Sequence, residues 1–94
     1  MTPSSPSASL ARKRLADALI SVGRGDRAAL AEVYNLTSAK LFGICLRICG
    51  NREEVADVVQ EVYVKVCQRA GRFDPERASP ITWLAALARN SAND

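Results

Sequence analysis

The stretch of sequence that decides the fold is Asn51–Cys67, NREEVADVVQEVYVKVC. Asn51 is a residue type that often caps a helix, and Glu53 and Glu54 bring carboxylates to the first turn, where they offset the positive end of the helix dipole. Apolar residues then recur with the i, i+3, i+4, i+7, i+11 spacing of one helical face: Val55, Val58, Val59, Val62 and Val66. This pattern predicts an amphipathic helix, and packing must stabilise it because β-branched valines are weak helix formers.

The opposite face of this predicted helix combines acidic, amide and apolar side chains. At about 100° per residue, that face carries Asp57, Gln60, Glu61 and Val64. Spacing by itself favours a solvated charged surface, whereas an exposed valine among carboxylates favours a binding patch. From the residues alone both interpretations stay open.

The length and composition are typical of one globular domain. The chain has 94 residues, of which 48% are hydrophobic and 24% charged. No apolar run is long enough to span a membrane and no signal-peptide pattern follows Met1, so we expect a cytoplasmic protein without membrane contact. The Pro- and Ser-rich segment of residues 1–9 predicts a disordered tail, which leaves residues 10–94 for the folded domain.

Charge is unevenly distributed along the chain. The net charge is only +3, too small to indicate nucleic-acid binding by itself. Residues 51–61 contain one basic and four acidic residues, while basic residues exceed acidic ones both before and after that segment. Such a polarity suits a protein that binds two different partners.

Two helices are predicted before the central one. The first spans about residues 10–22, buries Leu15, Ala18, Leu19 and Val22, and exposes the basic cluster Arg12, Lys13 and Arg14. The second runs from an Asp26 cap to about Cys49, with a short break or kink near Thr37-Ser38, where Ser38 could cap a new turn. Its predicted apolar stripe is Leu30, Val33, Tyr34, Leu41, Cys45 and Ile48. Gly50 predicts a helix stop directly before Asn51, so the second and central helices should form an antiparallel hairpin.

A loop and a fourth helix follow. Gly71 predicts the end of the central helix, and Asp74-Pro75 favours a turn. Ser79-Pro80 predicts a new start, with Ser79 as N-cap and Pro80 in the first turn. The fourth helix, to about Ala92, should bury Ile81, Leu84, Leu87 and Ala88. The sequence therefore predicts an all-α fold, a compact bundle of about four helices.

Neither a metal site nor a catalytic site is expected. The three cysteines, Cys45, Cys49 and Cys67, are interpreted as reduced, buried packing residues, with a redox switch as the weaker alternative. A zinc site would need a fourth ligand, and the chain has no histidine. It also has no histidine base, apolar carboxylate pair or nucleophile motif, so we expect a protein that is not an enzyme and needs no cofactor.

Five segments stand in order along the chain: GDRAALAEVYN, RICGN, REEVADVVQEVYVKV, RFDPE and PITWLAALARN. Asp57–Tyr63 is similar to a D-x-V-Q-E-x-F/Y signature, and Trp83–Asn90 to a W-L…A-R-N signature. Together these segments resemble region 2 of bacterial RNA polymerase sigma factors, and most closely that of the small extracytoplasmic-function (ECF, group IV) sigma factors. The resemblance covers about residues 25–94 and implies the sigma region 2 helical fold.

The resemblance implies a partner for the face opposite the valine stripe. In this family the helix with the Q-E signature binds the clamp helices of the largest RNA polymerase subunit. It therefore implies that core polymerase contacts Asp57, Gln60, Glu61 and Val64, and it favours the binding patch over the solvated surface. Inhibitors of the family commonly cover such surfaces, so an anti-sigma factor is a further expected partner.

The resemblance also implies that residues 72–79, with the final helix, recognise and open the promoter −10 element and trap an unstacked base of the non-template strand. The candidate DNA-binding residues are Arg69, Arg72, Phe73, Arg77, Ala78, Ser79, Thr82, Trp83, Arg89 and Asn90. Basic groups for phosphates and aromatic surfaces for bases are the chemistry that single-strand recognition uses. For Phe73 a loop-anchoring role is favoured over stacking, and for Trp83 core packing and base contact are equally expected.

Other interpretations remain at this stage. The −35-binding domain of full-length sigma factors has no counterpart in these residues, so we expect a domain of a larger protein. A helix-turn-helix DNA-binding module is disfavoured, because the last helix has Arg89 as its only basic residue. A helical protein–protein adaptor without a DNA role would use the acidic side chains of the central helix and not the loop.

Overall fold

A computed structural model describes residues 6–93 and places them in four α-helices and one 3₁₀ turn. The helices are α1 (Pro6–Gly23), α2 (Arg27–Cys49), α3 (Arg52–Arg69) and α4 (Pro80–Asn93), and the 3₁₀ turn, Ala70–Arg72, follows α3 directly. No strand occurs within the described residues. The predicted all-α bundle is confirmed.

The predicted helix boundaries at the start of α2 and at the α2–α3 connection are also confirmed. The Asp26 carboxylate accepts a hydrogen bond from the Ala28 N–H at 3.0 Å, and the Asn51 side-chain oxygen accepts one from the Glu53 N–H at 2.9 Å. Gly50 ends α2 with φ of 69°, a left-handed conformation that glycine adopts without steric cost. These local signals alone set where α2 stops and α3 starts.

Three predicted details differ from the structure. Helix α1 begins at Pro6 and not near Leu10, so residues 6–9 of the predicted tail are helical, and residues 1–5 lie outside the described part of the chain. Helix α3 ends at Arg69 with Ala70 as its C-cap, as predicted, but Gly71 is not a stop, because the chain continues as a 3₁₀ turn through Arg72. Helix α2 has no break near Thr37.

Thr37 shows why α2 stays continuous. Its hydroxyl donates to the Val33 carbonyl oxygen one turn earlier, with 2.6 Å between the oxygens, and its side chain is fully buried. The helix thus satisfies the hydroxyl internally. The Thr37 oxygen also lies 2.8 Å from the hydroxyl of Tyr63 in α3. Thr37 and Tyr63 are equally far along the chain from Gly50, which is the pairing expected of an antiparallel α2–α3 hairpin.

All four helices contribute to one core. The predicted stripe of α1 is buried, and the fully buried side chains include Leu19 of α1, Leu41 of α2, Val62 of α3 and Leu84 of α4. Two residues assigned to the stripe of α2 are not in this core, since Tyr34 is 51% and Ile48 36% exposed. The Tyr34 ring lies against the outside of Tyr63, with 5.0 Å between centroids. Ile48 is in the last turn of α2, beside the chain reversal.

The end of α1 touches the 3₁₀ turn through glycine. A Cβ added to Gly23 would lie 2.9 Å from both the N and the Cα atom of Gly71, so the two backbones approach as closely as they do only because Gly23 has no side chain. This contact positions the start of the loop that joins α3 to α4. Among the described residues, no helix is long and apolar enough to cross a membrane.

Candidate functional site

Helix α3 presents the four side chains predicted to bind core polymerase on one exposed face. Asp57, Gln60, Glu61 and Val64 are all exposed, and Val64 is 51% exposed despite being apolar. We call these four residues the acidic face. The opposite side of α3 is buried in the core, so the bundle holds this face outward.

The acidic face is bordered by an ion pair. Lys65 Nζ lies 3.8 Å from Glu61 Oε1 one turn away, and the Lys65 side chain is only 12% exposed while that of Glu61 is 50% exposed. Lysine can bury its aliphatic stem and keep its charged end at the surface. A half-exposed pair of this kind contributes little stability. Its effect is to orient the Glu61 carboxylate, which remains accessible to a partner.

The loop of residues 72–79 is organised by Asp74. The Asp74 side chain accepts a hydrogen bond from the Glu76 N–H at 2.9 Å, and its carbonyl oxygen accepts from the N–H groups of Arg77 at 3.0 Å and Ala78 at 3.2 Å. Arg77 Nε lies 3.7 Å from an Asp74 carboxylate oxygen, yet the Arg77 side chain is 88% exposed. The loop therefore has a defined turn and offers the Arg77 guanidinium to solvent.

Phe73 anchors the loop in the core. Its side chain is 7% exposed, and its ring meets that of Trp83 edge to face with 5.5 Å between centroids. Trp83 is half-buried. This arrangement supports the anchoring role favoured for Phe73, because a ring buried to this degree has no face open for stacking. Trp83 both packs on Phe73 and keeps part of its surface accessible.

The start of α4 places the next candidates at the surface. The Ser79 hydroxyl accepts a hydrogen bond from the Thr82 N–H at 3.2 Å and donates to the Thr82 hydroxyl at 2.7 Å, which confirms Ser79 as the N-cap. Thr82, Arg89 and Asn90 are exposed and share one stripe of α4 by their i, i+7, i+8 spacing. The loop thus leads directly into an exposed polar stripe.

The remaining candidates lie at the two ends of the loop. Arg69 is half-buried in the last turn of α3, Arg72 is exposed at the end of the 3₁₀ turn, and Ala78 and Ser79 are half-buried. The structure therefore places the predicted DNA-binding residues along one segment, from the end of α3 through the loop to α4. The acidic face lies on the earlier turns of α3 and forms a separate surface.

Two clefts border the loop and involve residues to which the sequence assigned no role. One, of about 440 Å³, is lined by Arg12, Lys13 and Ala16 of α1 together with residues 75–80. The other, of about 420 Å³, is lined by Ala11, Arg12, Leu15, Leu36, Lys40, Ser79, Pro80 and Ile81. The clefts share Arg12, Ser79 and Pro80. The basic run at residues 12–14 is evident in the sequence. Its proximity to the loop could not be predicted, because the two segments are far apart along the chain.

The cysteines occupy three different environments. Cys45 is fully buried, and burial, followed by the neighbouring Cys49, raises the pKa of its thiol above the usual 9.0. Cys49 is half-buried and Cys67 is exposed, so the expectation that all three are buried packing residues is wrong for Cys67. Within residues 6–93 no cluster of three or more His, Cys, Asp or Glu side chains could hold a metal ion.

The chain is similar to known proteins over most of its length. The family model of sigma-70 region 2 matches residues 33–94, which include the acidic face, the loop and α4. The ECF RNA polymerase sigma factor SigK of Mycobacterium bovis (strain BCG / Pasteur 1173P2) is 33% identical over 79 residues, covering 83% of this chain and 42% of the relative. SigK of Mycobacterium ulcerans (strain Agy99) is 30% identical over 73 residues, covering 78% of this chain and 39% of the relative.

The chain thus spans about two-fifths of the length of these curated relatives. No solved structure matches it significantly. The family match extends over more than half of the chain and falls on the segments α2, α3, loop and α4 that form the two candidate surfaces. The chain therefore belongs to the sigma-70 region 2 family.

Proposed function

We propose that this domain is region 2 of an ECF sigma factor, which binds the clamp helices of the largest RNA polymerase subunit and recognises and opens the promoter −10 element. The observation that carries the proposal is that one family match, residues 33–94, contains both an exposed acidic face and a separate, ordered loop. A transcription initiation factor needs two such surfaces, one for the enzyme and one for the promoter.

The composition of the acidic face supports polymerase binding. Interfaces combine an apolar centre with a polar rim, and Val64 lies among Asp57, Gln60 and Glu61 on this face. The exposed carboxylates would favour a basic partner surface and would repel DNA phosphates. The same face is our proposed site for an anti-sigma factor, because an inhibitor that covers it would block polymerase.

The loop and α4 supply the groups that single-strand recognition requires. The exposed Arg72, Arg77 and Arg89 offer charge to phosphates, while Thr82 and Asn90 offer hydrogen bonds. The loop is also held in a fixed shape by Asp74, so its backbone can surround an unstacked base. ECF membership is supported by the SigK relatives, whose names describe them as ECF sigma factors.

The test is transcription from a promoter library. The domain is fused to the −35-binding domain of a full-length sigma factor and assayed with core polymerase on templates with a constant −35 element and a randomised −10 segment. We expect transcripts whose templates share a defined −10 sequence. The matched control is the same fusion carrying Glu61→Lys, which should bind core polymerase poorly and yield few transcripts.

The same assay separates this function from a helical adaptor without a DNA role. An adaptor would bind its protein partner through the acidic face, and substitutions in the loop would have no effect on template choice. A fusion that binds core polymerase normally yet selects no −10 sequence would overturn the proposed promoter recognition.

A further inference from the structure

Helix α1 lies beside the loop that we assign to the −10 element, although the matched family segment begins only at residue 33. Arg12 and Lys13 line one wall of the first cleft, and residues 75–80 of the loop and the start of α4 line the other. Arg12 also lines the second cleft, together with Lys40 of α2. The two clefts adjoin through Arg12 and form one groove along the loop.

The groove is cationic at its rim. Arg12, Lys13, Lys40 and Arg77 are exposed along it, and among the residues that the structure describes Glu76 is the one carboxylate that lines either cleft. Arg14 pairs with Glu32 at 3.9 Å, whereas no carboxylate of the described residues pairs with Arg12, Lys13 or Lys40. Three cations on α1 and α2 are therefore available to an anionic ligand.

The floor of the groove is apolar. Leu15, Leu36, Pro80 and Ile81 line the second cleft beneath the cations. Its volume, about 420 Å³, lies within the range of roughly 300–1,000 Å³ typical of ligand clefts. An apolar floor with charges along the rim suits a ligand that has flat apolar groups joined by phosphates, which is the chemistry of single-stranded nucleic acid.

We propose that Arg12 and Lys13 of α1, with Lys40 of α2, bind phosphates of the non-template strand next to the base held by the loop. This inference rests on the proposed function, and it extends the DNA interface from the loop onto α1. The concave shape favours a nucleic-acid strand over an anionic membrane, because a membrane would require these charges on a flat or convex face. These contacts are made to phosphates and not to bases, so they should strengthen binding to every DNA sequence equally.

The experiment measures binding of the 94-residue chain to fluorescein-labelled single-stranded DNA, a random-sequence 12-mer, by fluorescence anisotropy between 50 and 200 mM salt. Each phosphate contact on a single strand adds about 0.7 to the slope of log affinity against log salt. Arg12→Gln/Lys13→Gln should therefore reduce the slope by about 1.4. The wild type should lose about sevenfold more affinity than this variant across that range.

Two control variants have matched charges. Arg24→Gln/Arg52→Gln removes two exposed arginines that line neither cleft. Arg24 is in the turn that follows α1, and Gly23, the last residue of α1, is about 15 Å along the helix from Lys13 at 1.5 Å per residue. This variant should keep the wild-type slope. Arg12→Lys/Lys13→Arg preserves both charges and should also keep it. Because all four positions are exposed, every variant should fold, which thermal unfolding verifies.

The outcomes distinguish the inference from the function on which it rests. If Arg12→Gln/Lys13→Gln retains the wild-type slope while the promoter library still selects a −10 sequence, the α1 contact is wrong and the proposed function stands. If the wild-type fusion selects no −10 sequence, both are overturned. If the variant keeps its DNA slope but no longer sediments with phosphatidylserine vesicles, α1 binds a membrane and the inference is wrong.

Discussion

The hydroxyl oxygens of Thr37 and Tyr63 lie 2.8 Å apart and join the middle of α2 to α3 within the core. Because the Thr37 proton is donated to the Val33 carbonyl oxygen, the Tyr63 hydroxyl is the donor in this bond. The neighbouring exposed side of α3 carries the acidic face. A bond inside the core therefore helps to set the rotation at which α3 offers that face to a partner.

Removing this bond should destabilise the domain, and the loss should be larger when a buried hydroxyl is left without a hydrogen-bond partner. Tyr63→Phe leaves Thr37 bonded to Val33 and should cost about 0.5–1.5 kcal/mol in the free energy of unfolding. Thr37→Val leaves the buried Tyr63 hydroxyl without its partner and should cost more, about 1–3 kcal/mol. Urea unfolding measures both, and equal stability of the Tyr63→Phe variant and the wild type would contradict the role of this bond.

The same tyrosine should make stability fall at high pH. Burial raises the pKa of Tyr63 above its usual 10.0. The folded state then retains the proton more tightly than the unfolded state, so its stabilisation is complete below about pH 10 and is lost as the pH rises through the folded pKa. Urea unfolding from pH 8 to pH 11 should show a steeper decline for the wild type than for Tyr63→Phe.

Two glycine-to-alanine substitutions should change the stability of the domain in opposite directions. A Cβ at Gly23 would lie 2.9 Å from backbone atoms of Gly71, so Gly23→Ala must displace the 3₁₀ turn and should cost about 1–3 kcal/mol. Gly43 lies within α2 with no atom within 4 Å of an added Cβ, so Gly43→Ala should stabilise by about 0.5–1 kcal/mol. Thermal unfolding of both variants provides the comparison, and a stable Gly23→Ala would show that the α1 contact yields easily.

Reversing the charge at Glu61 should impair polymerase binding while the fold persists. Substitution at the centre of an interface commonly costs ~1.4 kcal/mol or more, so Glu61→Lys should weaken binding to core polymerase about tenfold or more. Only a half-exposed ion pair with Lys65 is lost from the fold. Asp17→Lys makes the same charge change on the exposed side of α1 and should bind normally. Surface plasmon resonance with immobilised core enzyme measures the binding. If both variants bound like the wild type, Glu61 would not belong to the polymerase-binding surface.

Phosphate and base contacts should respond differently in the presence of core polymerase. Arg89→Ala should weaken binding to every single-stranded −10 variant and reduce the salt slope by about 0.7, because a phosphate contact carries no sequence information. Replacing Arg77 and Ala78 should instead change preference at one position by about 1–3 kcal/mol. Ser79 is retained since it caps α4. A panel of labelled −10 oligonucleotides tests both, and unchanged preference at every position after the loop replacement would place the base pocket elsewhere.

The thiols should react in the order of their exposure. Cys67 is exposed and should react rapidly with Ellman's reagent, whereas Cys45 is buried and burial raises its pKa, so it should react only when the chain opens. Cys67→Ser should remove the fast phase. Equal rates for Cys45 and Cys67 in the folded protein would contradict the packing of α2. Replacing Cys45 and Cys49 by alanine should lower stability without altering DNA binding.

Local signals in the sequence predicted most of the fold. Asp26, Gly50, Asn51 and Ser79 each act within a few residues of their own position, and all four boundaries are confirmed. The break predicted near Thr37-Ser38 is wrong, because a threonine in mid-helix can either disturb the backbone or bond back to it, and Thr37 bonds back to the Val33 carbonyl oxygen. Only packing against the partner helix decides between the two.

Long-range placement was harder to predict. Tyr34 has the periodicity of a core residue. Its burial, however, depends on where α3 packs against α2, and its ring lies at the exposed edge of that contact, against Tyr63. The acidic face could be predicted because one helix carries all of it. The proximity of Arg12 to the loop could not, since it depends on how α1 packs against residues distant in sequence.

The edge-to-face contact of Phe73 with Trp83, together with the Ser79 cap, secures both ends of the loop to α4. Loop and helix should consequently move as a single rigid body. Under the proposed function, a base that enters the loop would then meet a preorganised surface and would lose little conformational entropy on binding. Discrimination between bases would arise from rejection of those that do not fit, because a rigid cavity cannot reshape itself around the wrong one.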